Sequence, residues 1–418
     1  MTELLYQSKF IFDPAKRALI EGVLDLCASH GAPALTARNV AERAGASAAS
    51  INYHFGSIDE LVSHANTFGD DLKAKYWLDW SQRLDELALA QEDFSGILFT
   101  TTRDITKTLP GAAYSHVHTL IRRARNFLEV PDIQTIKAER SFLQKLIQRT
   151  KLTHLDANAL LAFSHALQFG YVIHHGSNDF DAWALALVTR FQERLLGSAP
   201  QSASDNAFRQ LASEKLTKLE SGMDLTHPTA LKILKASVEV IMSEGADAIT
   251  YRTIARNAGA SVSSAQHFFK SKEAFLDAAY REIYTRIRTR SVPLDIPANS
   301  LSVEELTAPR VDRDETSHRQ SFREAIALIG LLLSASKQES ASVIARGMLA
   351  NTGTSSMCML GGLKNFRGEL SRLDAQIYSM VLQQVWLLEY CENPAMFSSQ
   401  ESKLQAVGEN IIRALFVE

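Results

Sequence analysis

One stretch of the chain occurs twice, and that repetition limits the fold more than any other feature. Residues 31–61, GAPALTARNVAERAGASAASINYHFGSIDEL, return 214 positions later as 245–275, GADAITYRTIARNAGASVSSAQHFFKSKEAF. Thirteen positions coincide without a gap: Gly31, Ala32, Ala34, Thr36, Arg38, Ala41, Ala44, Gly45, Ala46, Ser47, Ser50, Phe55 and Ser57. Ordinary composition gives roughly two by chance, so this is an internal repeat, and the fold has to be read in units.

Within one copy, Thr36 precedes a short helix over 37–43 and is a good N-cap, because its hydroxyl accepts an orphan backbone N–H. Gly45 supplies the left-handed residue that ends this helix. Ser47 starts the next one, 47 to about 54. Two helices of about two turns around a tight Ala44-Gly45-Ala46 turn make a helix-turn-helix pattern, with small alanines where the helices cross. Ser57-Ile58-Asp59-Glu60 is a capping box for a third, longer helix. Upstream, Asp13-Pro14 is a cap followed by proline at the first helical position. Leu19, Val23, Leu26 and Cys27 then give that helix an apolar face. The second copy repeats the plan. Pro228 opens a helix whose apolar face is Leu231, Leu234, Val238, Ile241 and Met242.

Thr-x-Arg-x-x-Ala-x-x-Ala-Gly-x-Ser followed by Asn52-Tyr53-His54-Phe55 resembles the DNA-binding domain of the tetracycline-repressor (TetR) family. The second copy, ending Gln266-His267-Phe268-Phe269-Lys270-Ser271-Lys272-Glu273, is similar but looser. The resemblance is specific over about 13–68 and 228–282. It implies an all-α fold of two TetR-like modules in one chain. Each has an N-terminal helix-turn-helix domain followed by a helical ligand-binding and dimerisation domain, and together they form an intramolecular pseudo-dimer.

Length and composition agree with that outline. The chain has 418 residues, enough for two or more domains, with 46% hydrophobic and 22% charged residues, ordinary for a globular protein. Forty-four lysines and arginines against 47 aspartates and glutamates leave a net charge of −3, so any DNA contact has to be a local basic face. Cys27, Cys358 and Cys391 have no metal-type spacing. An odd count without a signal segment fits a reducing cytoplasm. The longest apolar run, 325–333, is too short to span a bilayer, so no membrane association is expected.

Residues 1–60 are expected to hold the first helix-turn-helix domain, preceded by an arm over 1–12. Residues 61–197 form the first ligand and dimerisation domain. There the helix from Glu60 continues through Leu61, Ala65, Phe68 and Leu72. Further helices follow over 76–90, 94–109, 113–128, 133–149, 156–175 and 181–196. Residues 198–226 read as a linker with a connecting helix over 206–220. Residues 227–274 are the second helix-turn-helix domain. Residues 275–418 are the second ligand domain, with helices over 273–290, 317–336, 339–349, 370–391 and 399–416. No alternating strand pattern occurs. By the resemblance, 156–175 and 181–196 pair with 370–391 and 399–416 as a four-helix bundle. The set Ile377, Met380, Val381, Val385 and Leu388 fits a buried helical face.

A recognition helix enters the major groove while phosphate contacts fix its register. The resemblance places the phosphate-binding threonines at Thr36 and Thr250, at helix N-termini suited to anions. It places the phosphate clamp at Tyr53 and His54, and at His267 and Phe268 in the second copy. Lys272 starts the following helix, where the first copy has Ile58. The resemblance makes Arg38 and Arg252 base-edge readers, able to grip guanine bidentately. It adds Ser47, Ala48, Ala49, Ser50 and Asn52 on one recognition helix, and Ser261, Val262, Ser263, Ser264 and Gln266 on the other. Lys270 adds charge to the second copy. Over 31–62 the chain has two basic and three acidic residues; over 245–276 it has four and two.

The histidines His116, His118, His165, His174 and His175 suggest a metal or polar ligand. The lack of closed ligand spacing favours ordinary core and surface positions. Arg122, Arg123 and Arg125 fit an anionic effector or, more simply, a solvated face. Met348, Met357, Met359, Phe366 and Met380 fit an adaptable pocket or plain core. No nucleophile elbow, phosphate loop, zinc signature or paired-carboxylate motif appears, so neither an enzyme nor a cofactor is expected. The reading is a DNA-binding transcriptional regulator, a repressor released by a small-molecule effector, with two unlike heads on an asymmetric double-stranded operator. The alternative is a non-DNA-binding regulatory or interaction protein with degenerate heads. Whether two tandem chains associate further stays open.

Overall fold

The described residues of a computed structural model of the chain are 13–126, 134–152, 155–174, 178–197, 226–290, 296–307, 323–330, 332–333, 349, 351–392 and 401–417. The N-terminal arm, the linker except residue 226, the expected helix over 206–220 and nearly all of that over 339–349 lie outside them. The fold is all-α. Among the described residues there is no strand, only isolated bridges between Leu301 and Leu363 and between Phe366 and Val417.

The first head is α1 (Pro14–Ser29), α2 (Ala37–Arg43), α3 (Ala48–Phe55) and the start of α4 (Ile58–Glu86). Asp13 accepts the backbone N–H of Ala15 at 3.2 Å, and proline follows at the first helical position. Leu19, Val23, Leu26 and Cys27 are buried as their spacing predicts, against Val40 and Ala41 of α2 and Ile51 of α3. Burial pushes the Cys27 thiol up to about 12, so it stays protonated and behaves as a small apolar side chain.

The expectation of two helices over 60–90 is corrected. α4 runs unbroken for 29 residues, about 43 Å at 1.5 Å per residue. Leu61, Ala65, Phe68, Leu72, Tyr76 and Leu84 keep one buried stripe going, and no proline interrupts it. The head therefore passes into the body without a break at residue 60.

The first body consists of α5 (Asp93–Thr108), α6 (Pro110–Asn126), α7 (Gln134–Arg149), α8 (Ala157–Ile173) and α9 (Asn178–Leu196). α6 is the bridge to the head: it packs on α1 and α4, and the Tyr114 hydroxyl accepts the N–H of Ala32 at 2.9 Å. A Cβ on Gly111 would lie 2.2 Å from the Leu24 carbonyl oxygen, so only glycine permits this approach of α6 to α1.

The second head repeats the first with α10 (Pro228–Ser243), α11 (Tyr251–Ala258), α12 (Val262–Phe268) and α13 (Lys272–Arg290). Leu234, Val238, Ile241 and Met242 are buried, but Leu231 is 48% exposed and leaves the expected apolar face. This head has its own core, closed by Ala327, Leu328 and Leu332. The second body continues with α14 (Val303–Thr307), a helical run over 323–330, α15 (Thr354–Gly361), α16 (Arg372–Glu392) and α17 (Glu401–Phe416). α14 and α15 were not anticipated; they are too short to show a periodic pattern.

α8 and α9 pack against α16 and α17 as the expected four-helix bundle. Ile377, Met380, Val381, Val385 and Leu388 are buried in it. The seam holds a fixed charge. The Asp374 carboxylate, fully buried, accepts from Arg190 Nε at 2.8 Å and Arg194 Nη2 at 2.7 Å. Burial raises the Asp374 pKa, but the two guanidiniums outweigh it and hold the carboxyl below its ordinary value. Arg194 also lies over the rings of Phe366 and Phe416, at 4.7 and 5.6 Å.

Candidate nucleic-acid interface

The two heads present the same surface through the same local chemistry. Thr36 caps α2 by accepting the N–H of Asn39 at 3.2 Å, and Thr250 caps α11 by accepting that of Thr253 at 3.1 Å. Gly45 and Gly259 turn the chain with φ of +63° and +61°, a conformation that glycine adopts without steric penalty. Ser47 then caps α3 through the N–H of Ser50 at 3.2 Å, and Ser261 caps α12 through that of Ser264 at 3.0 Å. Only one side of each recognition helix is used for packing: Ile51 is the buried residue of α3 and Ala265 that of α12. The opposite side is left to solvent.

On that side Thr36, Arg38, Ser47, Ala48, Ala49 and Asn52 are exposed, while Ser50 and His54 are half-buried. Thr250, Arg252, Ser261, Val262, Ser263, Gln266, His267 and Lys270 are exposed in the second head, with Ser264 and Lys272 half-buried. Tyr53 is 85% exposed and sits edge-on to His54 at 4.8 Å between ring centroids. An aromatic ring so exposed gains nothing from the core. Val262 is 42% exposed, an apolar group at the position where α12 begins. Neither Arg38 nor Arg252 is held by an acidic side chain among the described residues, so both guanidiniums are available.

Geometry adds to the differences between the heads that the sequence shows. In the first head Arg43 turns back to Asp25 at 3.4 Å. In the second, Arg256 and Lys270 are exposed with no ion pair among the described residues. The clamp differs as well. His267 stands edge-on to Phe268 at 5.1 Å, and Phe268 turns inward onto the His227 ring at 4.8 Å. In the second copy, therefore, only His267 of this pair is exposed.

The histidines flagged in the sequence do not act together. His118 stacks on Tyr114, and His174 on Phe180; His175 lies outside the described residues. His116 and His165 do meet, with ring centroids 5.8 Å apart. They lie in a buried polar centre with Lys73, Glu139, Ser164 and Gln168, which sequence reading missed. The signal was there: Glu139 interrupts the apolar stripe Ile136, Phe142, Leu143, and Lys73 sits beside Leu72 and Trp77. No group of His, Cys, Asp and Glu able to hold a metal ion occurs among the described residues. Met357, Met359 and Phe366 pack on the main core, Met380 is buried within it, and Met348 lies outside the described residues. Arg122 is exposed and Arg123 half-buried, while the side chain of Arg125 is not among those described. No helix of the described residues is long and apolar enough to cross a membrane.

Residues 19–65 and 233–279 each match the family described as "Bacterial regulatory proteins, tetR family". None of the curated proteins compared matches the chain.

Proposed function

The chain is a tandem regulator of the TetR family, with two DNA-binding modules in one polypeptide, and from that premise we propose that it is a repressor of an asymmetric operator, released by a small molecule. One observation carries this reading. Each head exposes the same set, an N-cap threonine, an arginine two residues on and the small N-terminal residues of the next helix, yet with different side chains along that helix. Arg38 and Arg252 donate to guanine edges. Thr36, Tyr53 and His54 in one head, and Thr250, His267, Lys270 and Lys272 in the other, hold phosphate. Ser47, Ala48, Ala49, Ser50 and Asn52 then read one half-site, and Ser261, Val262, Ser263, Ser264 and Gln266 the other.

The functional units in this reading are 1–60, 61–197, 198–226, 227–274 and 275–418. The two heads enter successive major grooves, about 34 Å apart or slightly more. A ligand that favours another separation of the heads lowers DNA affinity by shifting the population between the two arrangements.

Selecting bound fragments from random DNA with the purified chain tests the reading. Two unlike half-sites at one fixed spacing are expected, and a perfect palindrome overturns the asymmetric operator. Arg38→Ala and Arg252→Ala should each weaken specific binding by about 1–3 kcal/mol and relax preference in different half-sites. Binding that ignores both substitutions and salt concentration points instead to a protein whose heads serve another partner.

A further inference from the structure

The two heads share a helical pattern but not the sign of their charge. On the 214-residue register, 13–60 pair with 227–274. The first head has four lysines and arginines against six aspartates and glutamates, a balance of −2. The second has six against four, a balance of +2. The changes fall at particular positions. Glu21 and Glu42 stand where the second head has Lys235 and Arg256, so the sign is reversed there. Ala18, Gly56 and Ile58 stand where it has Lys232, Lys270 and Lys272. In the other direction, Lys16, Arg17 and Arg43 fall on Ala230, Leu231 and Asn257.

Pairing sharpens the difference. Of the first head's four cations, Arg17 bonds Glu21 at 2.9 Å and Arg43 meets Asp25 at 3.4 Å. Only Lys16 and Arg38 have no carboxylate partner among the described residues. Asp59 and Glu60, exposed at the start of α4, add negative charge. In the second head Lys232, Lys235, Arg252, Arg256 and Lys270 are exposed and Lys272 is half-buried, and none forms an ion pair among the described residues. The fold does not ask for these cations, since the first head builds the same helices with glutamate at two of the positions. They stand on each element next to the recognition helix α12. Arg256 is in the last turn of α11, and Lys270 and Lys272 follow α12. Lys232 and Lys235 are on α10, whose cap His227 places its ring 4.8 Å from Phe268 at the end of α12. The first turn of α10 therefore flanks the recognition helix, and Leu231, Lys232 and Lys235 share its exposed side.

We propose that the heads hold DNA unequally: the second is an electrostatic anchor, with Lys232, Lys235 and Arg256 as phosphate contacts outside its recognition helix, and the first docks onto duplex already held. The proposal rests on the DNA-binding reading above. Each phosphate that a cation neutralises releases counterions, so this kind of binding weakens with salt in proportion to the contacts made. Surface charge is screened beyond about 8 Å at physiological ionic strength. Each head therefore meets the duplex with its own local sign, and the net charge of −3 does not decide the outcome. The negative first head gains little from the backbone alone. It relies on base contacts and on the high effective concentration that tethering to a bound head provides.

The probe is a mixed-sequence duplex of about 40 base pairs, long enough for two heads about 34 Å apart. Its affinity for the full chain is measured by fluorescence anisotropy between about 50 and 200 mM KCl. Lys235→Gln with Arg256→Gln should lower the slope of log affinity against log salt by about 1.8, at about 0.9 per lost contact. Lys16→Gln with Arg43→Gln removes two cations from the first head and should lower it by less than about half as much. The reverse exchange, Glu21→Lys with Glu42→Arg, gives the first head the second head's residues and should steepen the slope by about 1 or more. Such a gain cannot come from misfolding. Equal losses from the two neutralised pairs overturn the anchor, as does a slope that the exchange leaves unchanged; both outcomes leave DNA binding standing. A parent chain with no salt-sensitive affinity for the duplex overturns the DNA-binding reading itself, and the anchor with it.

Discussion

Set the two halves of the chain on their own offset and they part company inside as well as at the surface. On the 214-residue offset of the heads, α8 and α16 begin one residue apart, while α9 and α17 begin nine apart. On that register His116, Glu139 and His165 fall on Gly330, Gly353 and Ser379, and Ser164 and Gln168 on Tyr378 and Leu382. The charged interior belongs to the first half alone at these positions. The bundle seam is uneven in the same way: Asp374, gripped by two arginines, stands where the first half has the buried Leu160. The junction of head and body differs too, since Gly111 and Tyr114 correspond to Ala325 and Leu328. Duplication set the frame, and the two interiors then took different chemistry. The seam between the halves is heterologous.

The largest expected effect is at that seam. Asp374→Ala leaves two buried guanidiniums without their carboxylate and should destabilise the chain by about 3–5 kcal/mol, measured by urea unfolding. The pH dependence follows from the same group. Its carboxyl is depressed in the folded chain, so its contribution is complete above the unfolded value of about 3.9 and fades as pH falls through the lower folded value. The variant should accordingly lose less stability than the parent between about pH 4 and the folded value. Equal acid sensitivity in both would mean the seam charge is not what distinguishes the halves.

A smaller effect is expected at the head junction. Gly111→Ala installs the residue of the second half and drives a Cβ into the Leu24 carbonyl. Overpacking of this kind should lower thermal stability by about 1–3 kcal/mol. A neutral outcome would show that both heads tolerate the same junction. Smallest is Tyr114→Phe, which removes the acceptor of the Ala32 N–H. A loss of about 1 kcal/mol is expected, with faster amide exchange at Ala32 as the local readout. Unchanged exchange there would erase the distinction between Tyr114 and Leu328.

Much of the fold was legible because it is written in local rules. Thr36, Ser47 and Ser57 each cap the helix they precede, and Gly45 adopts the left-handed turn its place demands. The exposed faces of α3 and α12 also follow from sequence, since Ile51 and Ala265 are the residues buried on them. Where reading failed, the cause was non-local. α4 continues past residue 72 because α7 covers its second half, with Phe142 on Trp77 and Lys145 on Asp85, and covering by a distant helix is not encoded in a short window. Leu231 reads as core by periodicity, yet among the described residues nothing buries it and it is 48% exposed.

The sequence by itself determined that this is a duplicated helix-turn-helix protein, because caps, glycine turns and apolar periodicity act within a few residues of one another. The tertiary structure alone decided which charges are buried and what they meet. Lys73 and Glu139 lie 66 positions apart. Arg190 and Asp374 lie 184 apart. A charge enters a core only when a partner arrives from elsewhere in the chain to offset its lost hydration, and only packing reveals that partner.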